Sequence, residues 1–268
     1  MPACSTGKSP ELTRRIVAGV DMQKLGFGIL LVAVLALGAF FVLRYWQEDD
    51  DDERGERTAA AATVAETPVP QQTTGAQFVY NFDSDPPGKI SPHFHPALTG
   101  GGLPPTWVVQ ADPTAPSKPN VVTQISADKT DYRFPLLIAD DGTFRDLDLS
   151  VKFKAVSGSV DQAGGLVFRL KDANNYYIVR ANALEDNYRL YHVVNGRRVQ
   201  FAGANLKVTR GEWHELRVEA TGNKFVCYYD GARKIEASDD TFKEAGKIAL
   251  WTKADSVTSF DDLKVTAK

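Results

Sequence analysis

Five residues in the second half of the sequence combine the chemistries that hold a polyhydroxylated ring: Arg169, Tyr176, Arg180, Asn182 and Trp251. An aromatic face stacks on ring C–H groups, while planar guanidinium and amide groups satisfy hydroxyls. Spacing decides which of them can share a surface, because side chains along a strand alternate between its two faces. In Gly165–Lys171 the alternation turns Leu166, Phe168 and Leu170 inward and leaves Val167 and Arg169 outside. In the next strand Tyr177, Val179 and Ala181 look inward, leaving Tyr176, Ile178, Arg180 and Asn182 outside. Near the end of the chain, strict alternation groups Ala249, Trp251 and Lys253. Plainer roles exist for the same residues. Trp251 has the bulk of a core residue, and both arginines have Glu185, Asp186 or Asp255 as surface partners.

Other chemistry is thinner. His93 and His95, in Ser-Pro-His-Phe-His-Pro, have a spacing that places two imidazoles on one metal, but no third ligand lies near, so no metal site is assigned. His214 follows Trp213 in a strand-like run and reads as a core or edge residue. No Ser-His-Asp order, glycine-rich phosphate loop or Cys-x-x-Cys pair occurs, and no cofactor is called for. The two cysteines, Cys4 and Cys227, fall on opposite sides of a long apolar run, which argues against a disulfide between them. Cys227 reads as a small apolar strand residue.

That apolar run is Leu25–Leu43, LGFGILLVAVLALGAFFVL, without a charge. As a helix it is about 28 Å long at ~1.5 Å per residue, matching a hydrocarbon layer of roughly 30 Å. Lys24 and Arg44 bracket it, with Tyr45 and Trp46 as interfacial aromatics. Lys8, Arg14, Arg15 and Lys24 on one flank outnumber Arg44, Arg54 and Arg57 on the other, which favours a cytoplasmic N-terminus. Ala36-Leu37-Gly38 has the small residues of a cleavage site, yet the apolar run continues to Leu43, favouring an uncleaved signal anchor. Residues 1–24 are then a cytoplasmic tail, and the chain beyond the helix is periplasmic or at the cell surface. Residues 44–77 carry an acidic patch, Glu48–Glu53, and an Ala/Thr/Pro/Gln stretch too poor in large apolar groups to order. They form a flexible tether reaching on the order of 30 Å. With 31 Lys+Arg against 34 Asp+Glu and a net charge of -3, the chain lacks the concentrated cationic face that nucleic acid requires.

From Phe78 to Lys268 the pattern changes to a two-residue period. Leu147, Leu149, Val151 and Phe153 alternate with Asp146, Asp148, Ser150 and Lys152. Similar strands occupy Leu166–Leu170, Tyr176–Asn182, Arg189–Val193, His214–Ala220, Phe225–Tyr229, Lys247–Thr252 and Ser259–Val265. Asn195-Gly196, Arg210-Gly211, Thr221-Gly222-Asn223 and Asp230-Gly231 separate them as turns. Helical spacing is absent outside the apolar span. The expectation is an all-β jelly-roll sandwich of two antiparallel sheets.

Several stretches resemble the concanavalin A-like lectin/glucanase superfamily, and within it laminin-G-like and 3-keto-disaccharide hydrolase-like domains. They are FVYNFDSDPPGK (Phe78–Lys89), FRDLDLSVKFK (Phe144–Lys154), DQAGGLVFRLKDANNYYIVRAN (Asp161–Asn182), GEWHELRVEATGNKFVCYYDG (Gly211–Gly231) and GKIALWTKADSVTSFDDLKV (Gly246–Val265). The resemblance implies that one curved sheet offers its outward side as a ligand groove. Its laminarinase-type members carry two catalytic glutamates on one strand, since retaining hydrolysis needs two carboxyls about 5–5.5 Å apart. No such motif occurs here. Asp146-x-Asp148 reads as a solvated strand face, and Asp261-Asp262 points to opposite faces. Catalytic residues are therefore not assigned. The expected function is a membrane-anchored, extracytoplasmic carbohydrate-binding module for a cell-envelope glycan. A glycoside hydrolase or lyase acting on a modified sugar, and a non-catalytic envelope interaction module, are the competing readings.

Overall fold

The computed structural model describes residues 75–268, which fall within the compact unit Ala65–Lys268. The expected membrane helix over Leu25–Leu43, and the tether up to residue 74, lie outside the described residues. Every regular element described is a strand: β1 Gln77–Tyr80, β2 Phe94–Gly100, β3 Trp107–Ala111, β4 Asn120–Gln124, β5 Arg133–Ala139, β6 Leu147–Ser157, β7 Ala163–Asp172 and β8 Asn175–Asn182. They continue as β9 Asn187–Val194, β10 Arg197–Asn205, β11 His214–Thr221, β12 Lys224–Tyr229, β13 Ala232–Ser238, β14 Lys247–Thr252 and β15 Val257–Ala267.

Two antiparallel sheets stack. One runs β13-β12-β11-β6-β15-β4-β3, with β1 added on β15; the other runs β10-β9-β8-β7-β14-β5-β2. Tight turns set the local register. Asn195 and Gly196 both have positive φ (49° and 78°), as do Asp230 and Gly231 (47° and 74°). That is the backbone of a primed two-residue turn, whose twist matches the strands it joins. The apolar half of each alternating strand meets between the sheets. Leu149, Val151, Phe153, Val218, Phe225 and Phe260 pack there against Leu166, Phe168, Tyr177, Val179, Leu190 and Leu250. Cys227 is a free thiol in this layer, and burial pushes its pKa up. Burying each such side chain contributes about 1.5–3 kcal/mol.

The outer side of the seven-stranded sheet is apolar too. Phe134, Leu136, Ile138, Val167, Tyr176, Ile178, Tyr191, Val193, Ala249 and Trp251 form a second core. They are buried because the sheet coils until its far corners meet over that side. Thr99, on edge strand β2, shares a 2.8 Å hydrogen bond with Tyr176 and reaches the carbonyl of Ala173 in the β7–β8 turn. The Tyr132 hydroxyl, just before β5, donates to the Gly196 carbonyl and accepts the Arg198 amide, both at 2.8 Å. The open groove expected on this surface is thus corrected to a closed roll. Strong twist folds a long sheet's diagonal corners toward each other, and a face this apolar gains by closing.

Candidate functional site

The five residues singled out by spacing end in three different environments. Tyr176 and Trp251 lie on the outer side as alternation requires, but both are fully buried. Trp251 stacks on Phe134 with ring centroids 5.3 Å apart, and burial pushes the Tyr176 phenol up to about 12. Neither offers an open aromatic face in this conformation.

Arg169 is separated from the rest. It has φ of 49°, and the β7–β8 register shifts between Phe168 and Asp172. This bulge adds a residue and inverts the alternation, so Leu170 joins the outer core while Arg169 turns the other way. Its guanidinium donates to the carbonyls of Arg145 (2.7 Å), Phe242 (2.9 Å) and Gly222 (2.5 Å), and lies 5.4 Å from the Phe225 ring. Three loop carbonyls are held by one side chain. Arg169 is a structural rivet.

Arg180 and Asn182 anchor a polar network at the other end of the sheet. Arg180 Nη2 donates to Glu185 Oε2 at 2.9 Å and to the Tyr191 hydroxyl at 3.0 Å, while Nη1 donates to Asn187 Oδ1. Asn187 also donates to Glu185 Oε2 at 3.0 Å. Asn182 Nδ2 donates to Asp161 Oδ1 at 2.7 Å, and Lys253 Nζ lies 3.0 Å from Asp161 Oδ2 and 2.7 Å from Asp131 Oδ1. Gly165 makes room for it. It sits opposite Arg180, and a Cβ there would come within 2.6 Å of Ile178 and 2.9 Å of the Arg180 stem.

Charges alternate through this network, and their surroundings pull two carboxyls apart. Burial raises the Asp161 pKa, with Lys253 and Arg180 opposing that rise. Glu185 goes the other way: burial would raise it, but the Asn187 hydrogen bond and the Arg180 charge outweigh that and hold it low. Glu185 is 45% exposed and Asp131 74%, so the network opens to solvent at both ends while its centre is buried.

Arg198, on edge strand β10, completes the rim. Its guanidinium carbon lies 4.6 Å from the centroids of both Phe134 and Tyr191 and 5.6 Å from that of Trp251. Spacing alone did not single out Asp161, Glu185, Asn187, Tyr191 or Arg198 as site residues. The legible signal was the Asn195-Gly196 turn, which pairs Arg198 with Val193 and so sets it on the outer face beside Tyr191.

The two sequence-flagged histidines pair with acids instead of forming a metal centre. His95 Nδ1 lies 2.5 Å from Asp140 Oδ1, and His93 Nδ1 lies 3.4 Å from Asp141 Oδ2. Among the described residues no three His, Cys, Asp or Glu side chains are arranged to hold a metal. His93 and Asp141 also line a hollow of about 330 Å³ with Phe78, Tyr80 and Phe82.

Comparison with known proteins places the fold. The structure is similar to the carbohydrate-binding module CBM66 from Bacillus subtilis (TM-score 0.52, 21% identity, 64% of this chain and 95% of the other). It is also similar to the cellulose-induced protein Cip1 (TM-score 0.52, 10% identity, 71% and 97%). Such likenesses support the two-sheet antiparallel β-sandwich expected from the sequence. Over 98 residues, 36% of the chain, it is 31% identical to a levanase of Bacillus subtilis strain 168, and that match spans 14% of the levanase. Residues 103–266, most of the sandwich, match one family throughout. The chain belongs to the 3-keto-alpha-glucoside-1,2-lyase-like domain family.

Proposed function

We propose that this domain is a carbohydrate-binding module, held outside the cytoplasm by an uncleaved helix over Leu25–Leu43 and carried on the tether of residues 44–77. The ligand is a glycan of the cell envelope, and its seat is the polar rim of the seven-stranded sheet. One observation carries the reading. Arg180, Glu185, Asn187, Asn182, Asp161 and Lys253 form a preorganised array of alternating donors and acceptors beside the Tyr191 ring. A sugar presents adjacent hydroxyls that each donate and accept, and the solvent-open ends of the array, Glu185 at one and Asp131 with Lys253 at the other, offer acceptors and a donor to them. Likeness to a carbohydrate-binding module and to a stretch of a levanase supports the same reading.

Lyase or hydrolase action is the second reading. Family membership favours it, and so does the opposed displacement of Asp161, raised by burial, and Glu185, held low by Asn187 and Arg180, which is the direction of separation an acid–base pair requires. A glycan array combined with a sugar-release assay on Ala65–Lys268 separates the two. Binding without release supports the module. Release that is lost in Asp161→Asn supports the enzyme, and neither response on a folded domain refutes both.

A further inference from the structure

Two guanidinium groups flank the Tyr191 ring, and each keeps one buried nitrogen without an acceptor. Arg180 Cζ lies 5.6 Å and Arg198 Cζ 4.6 Å from the ring centroid. Arg180 Nε and Arg198 Nη1 are both shielded from solvent and both lack a hydrogen-bond partner. Buried donors are nearly always paired, by protein, water or ligand, because an orphaned donor near charge forfeits its full solvation. Arg198 has no carboxylate within ion-pair distance among the described residues. Asp161 is the acid whose field reaches it, and that carboxylate is already taken by Asn182 and Lys253. Glu185 is likewise taken, by Arg180 and Asn187.

The unpaired positive charge is therefore local to Arg198. Arg180 pairs with Glu185 and Lys253 with Asp161 and Asp131, so among the described residues Arg198 is the one cation of the rim without a carboxylate partner. Aromatic faces at 4.6 Å hold the Arg198 guanidinium in place and partly compensate its charge, but they accept no hydrogen bond in the ring plane. A planar oxyanion does, and two guanidinium forks fixed around one ring suit it better than mobile lysines would.

Resting on the carbohydrate-binding reading, we propose that the glycan is anionic: a sugar-borne oxyanion, either a uronate carboxylate or a sulfate ester, seats between Arg180 and Arg198 at the Tyr191 ring. The remaining hydroxyls of that sugar fall to Asn187, Glu185 and Lys253. Discrimination arises at Arg198, a half-buried guanidinium that a neutral sugar leaves without a charged acceptor.

The test titrates the full-length chain in neutral detergent with three probes of matched length: trigalacturonate, neutral galactotriose and a sulfated galactotriose. Preference of at least about tenfold for an anionic probe over the neutral one is expected. It shrinks as salt rises from about 0.05 to 0.5 M, because partly exposed charge pairs are screened. Binding of trigalacturonate alone identifies a uronate, the sulfated probe alone a sulfate ester, and both a general oxyanion site. Arg198→Gln brings the anionic-to-neutral ratio close to one, and Arg198→Lys restores part of it, so a ratio unchanged in folded Arg198→Gln overturns the assignment. Equal affinity for all three probes sinks the anionic proposal and leaves sugar binding standing. Failure to bind these probes or any glycan on the array removes both.

Discussion

The Tyr132 hydroxyl accepts the backbone N–H of Arg198 at 2.8 Å, although β5 and β10 stand five places apart in their sheet. With the Thr99 contacts to Tyr176 and Ala173 it closes the coil over the outer core, and it sets the base from which Arg198 reaches Phe134, Tyr191 and Trp251. Tyr132→Phe keeps the ring on Phe134 but removes both hydrogen bonds. The expected loss is about 1 kcal/mol in urea denaturation, since Tyr132 is partly exposed and water replaces some of the bonding. Faster hydrogen exchange at Arg198 should accompany it.

Trp251→Ala distinguishes a buried ring from an open binding platform. With Trp251 fully buried against Phe134, the cavity should cost about 3–5 kcal/mol. An exposed platform would lose well under about 1 kcal/mol. Equilibrium unfolding of the purified variant decides between these values.

Asp255 organises the approach to the polar rim. Its carboxylate accepts the amides of Ser159 (2.7 Å), Val160 (2.9 Å) and Asp161 (3.0 Å) and the Ser159 hydroxyl (2.7 Å). Burial opposes its ionisation, but these bonds outweigh burial and lower its pKa. Asp255→Ala leaves three amides to find water, at about 2–3 kcal/mol. Because Asp161 is itself one of the residues held, sugar affinity should fall along with thermal stability.

Asp261 gives the domain a distinct pH response. It is fully buried, and burial raises its pKa to about 6 from an ordinary 3.8, against hydrogen bonds from Ser117 and Asp262. Between those two values the folded state holds a proton that the unfolded state has released. Stability from this group is therefore fully present at low pH and is lost as pH rises through about 6, by on the order of 3 kcal/mol. Urea midpoints of wild type and Asp261→Asn should draw apart as pH climbs to 6 and keep that separation above it. Parallel curves across that range would refute the assignment.

Much of the sandwich is legible in the sequence because half-buried strands write their faces in alternating residues. The runs at Leu147–Phe153, Tyr176–Asn182 and Phe225–Tyr229 all fall inside observed strands. Other strands are hidden for physical reasons. In β5, RFPLLIA, every residue is buried, so no polar face marks the period, and Pro135 argues against a strand. The proline is tolerated because β14 pairs only with Leu136–Ile138. Arg169 illustrates a second limit. A bulge has no signature in alternation, and one inserted residue reverses every orientation after it. Closure of the outer face depends on Tyr132, Thr99 and Arg198 meeting across the sheet, which no local pattern encodes.

The central claim is that the rim around Arg180 and Tyr191 holds a glycan, and a nuclear magnetic resonance titration of isotope-labelled Ala65–Lys268 reads it most directly. With a glycan chosen from the array, the largest amide shifts should fall in Arg180–Tyr191, at Arg198 and at Lys253. Shifts centred instead on the hollow of Phe78, Tyr80 and His93, or an unperturbed spectrum with every glycan offered, would contradict it.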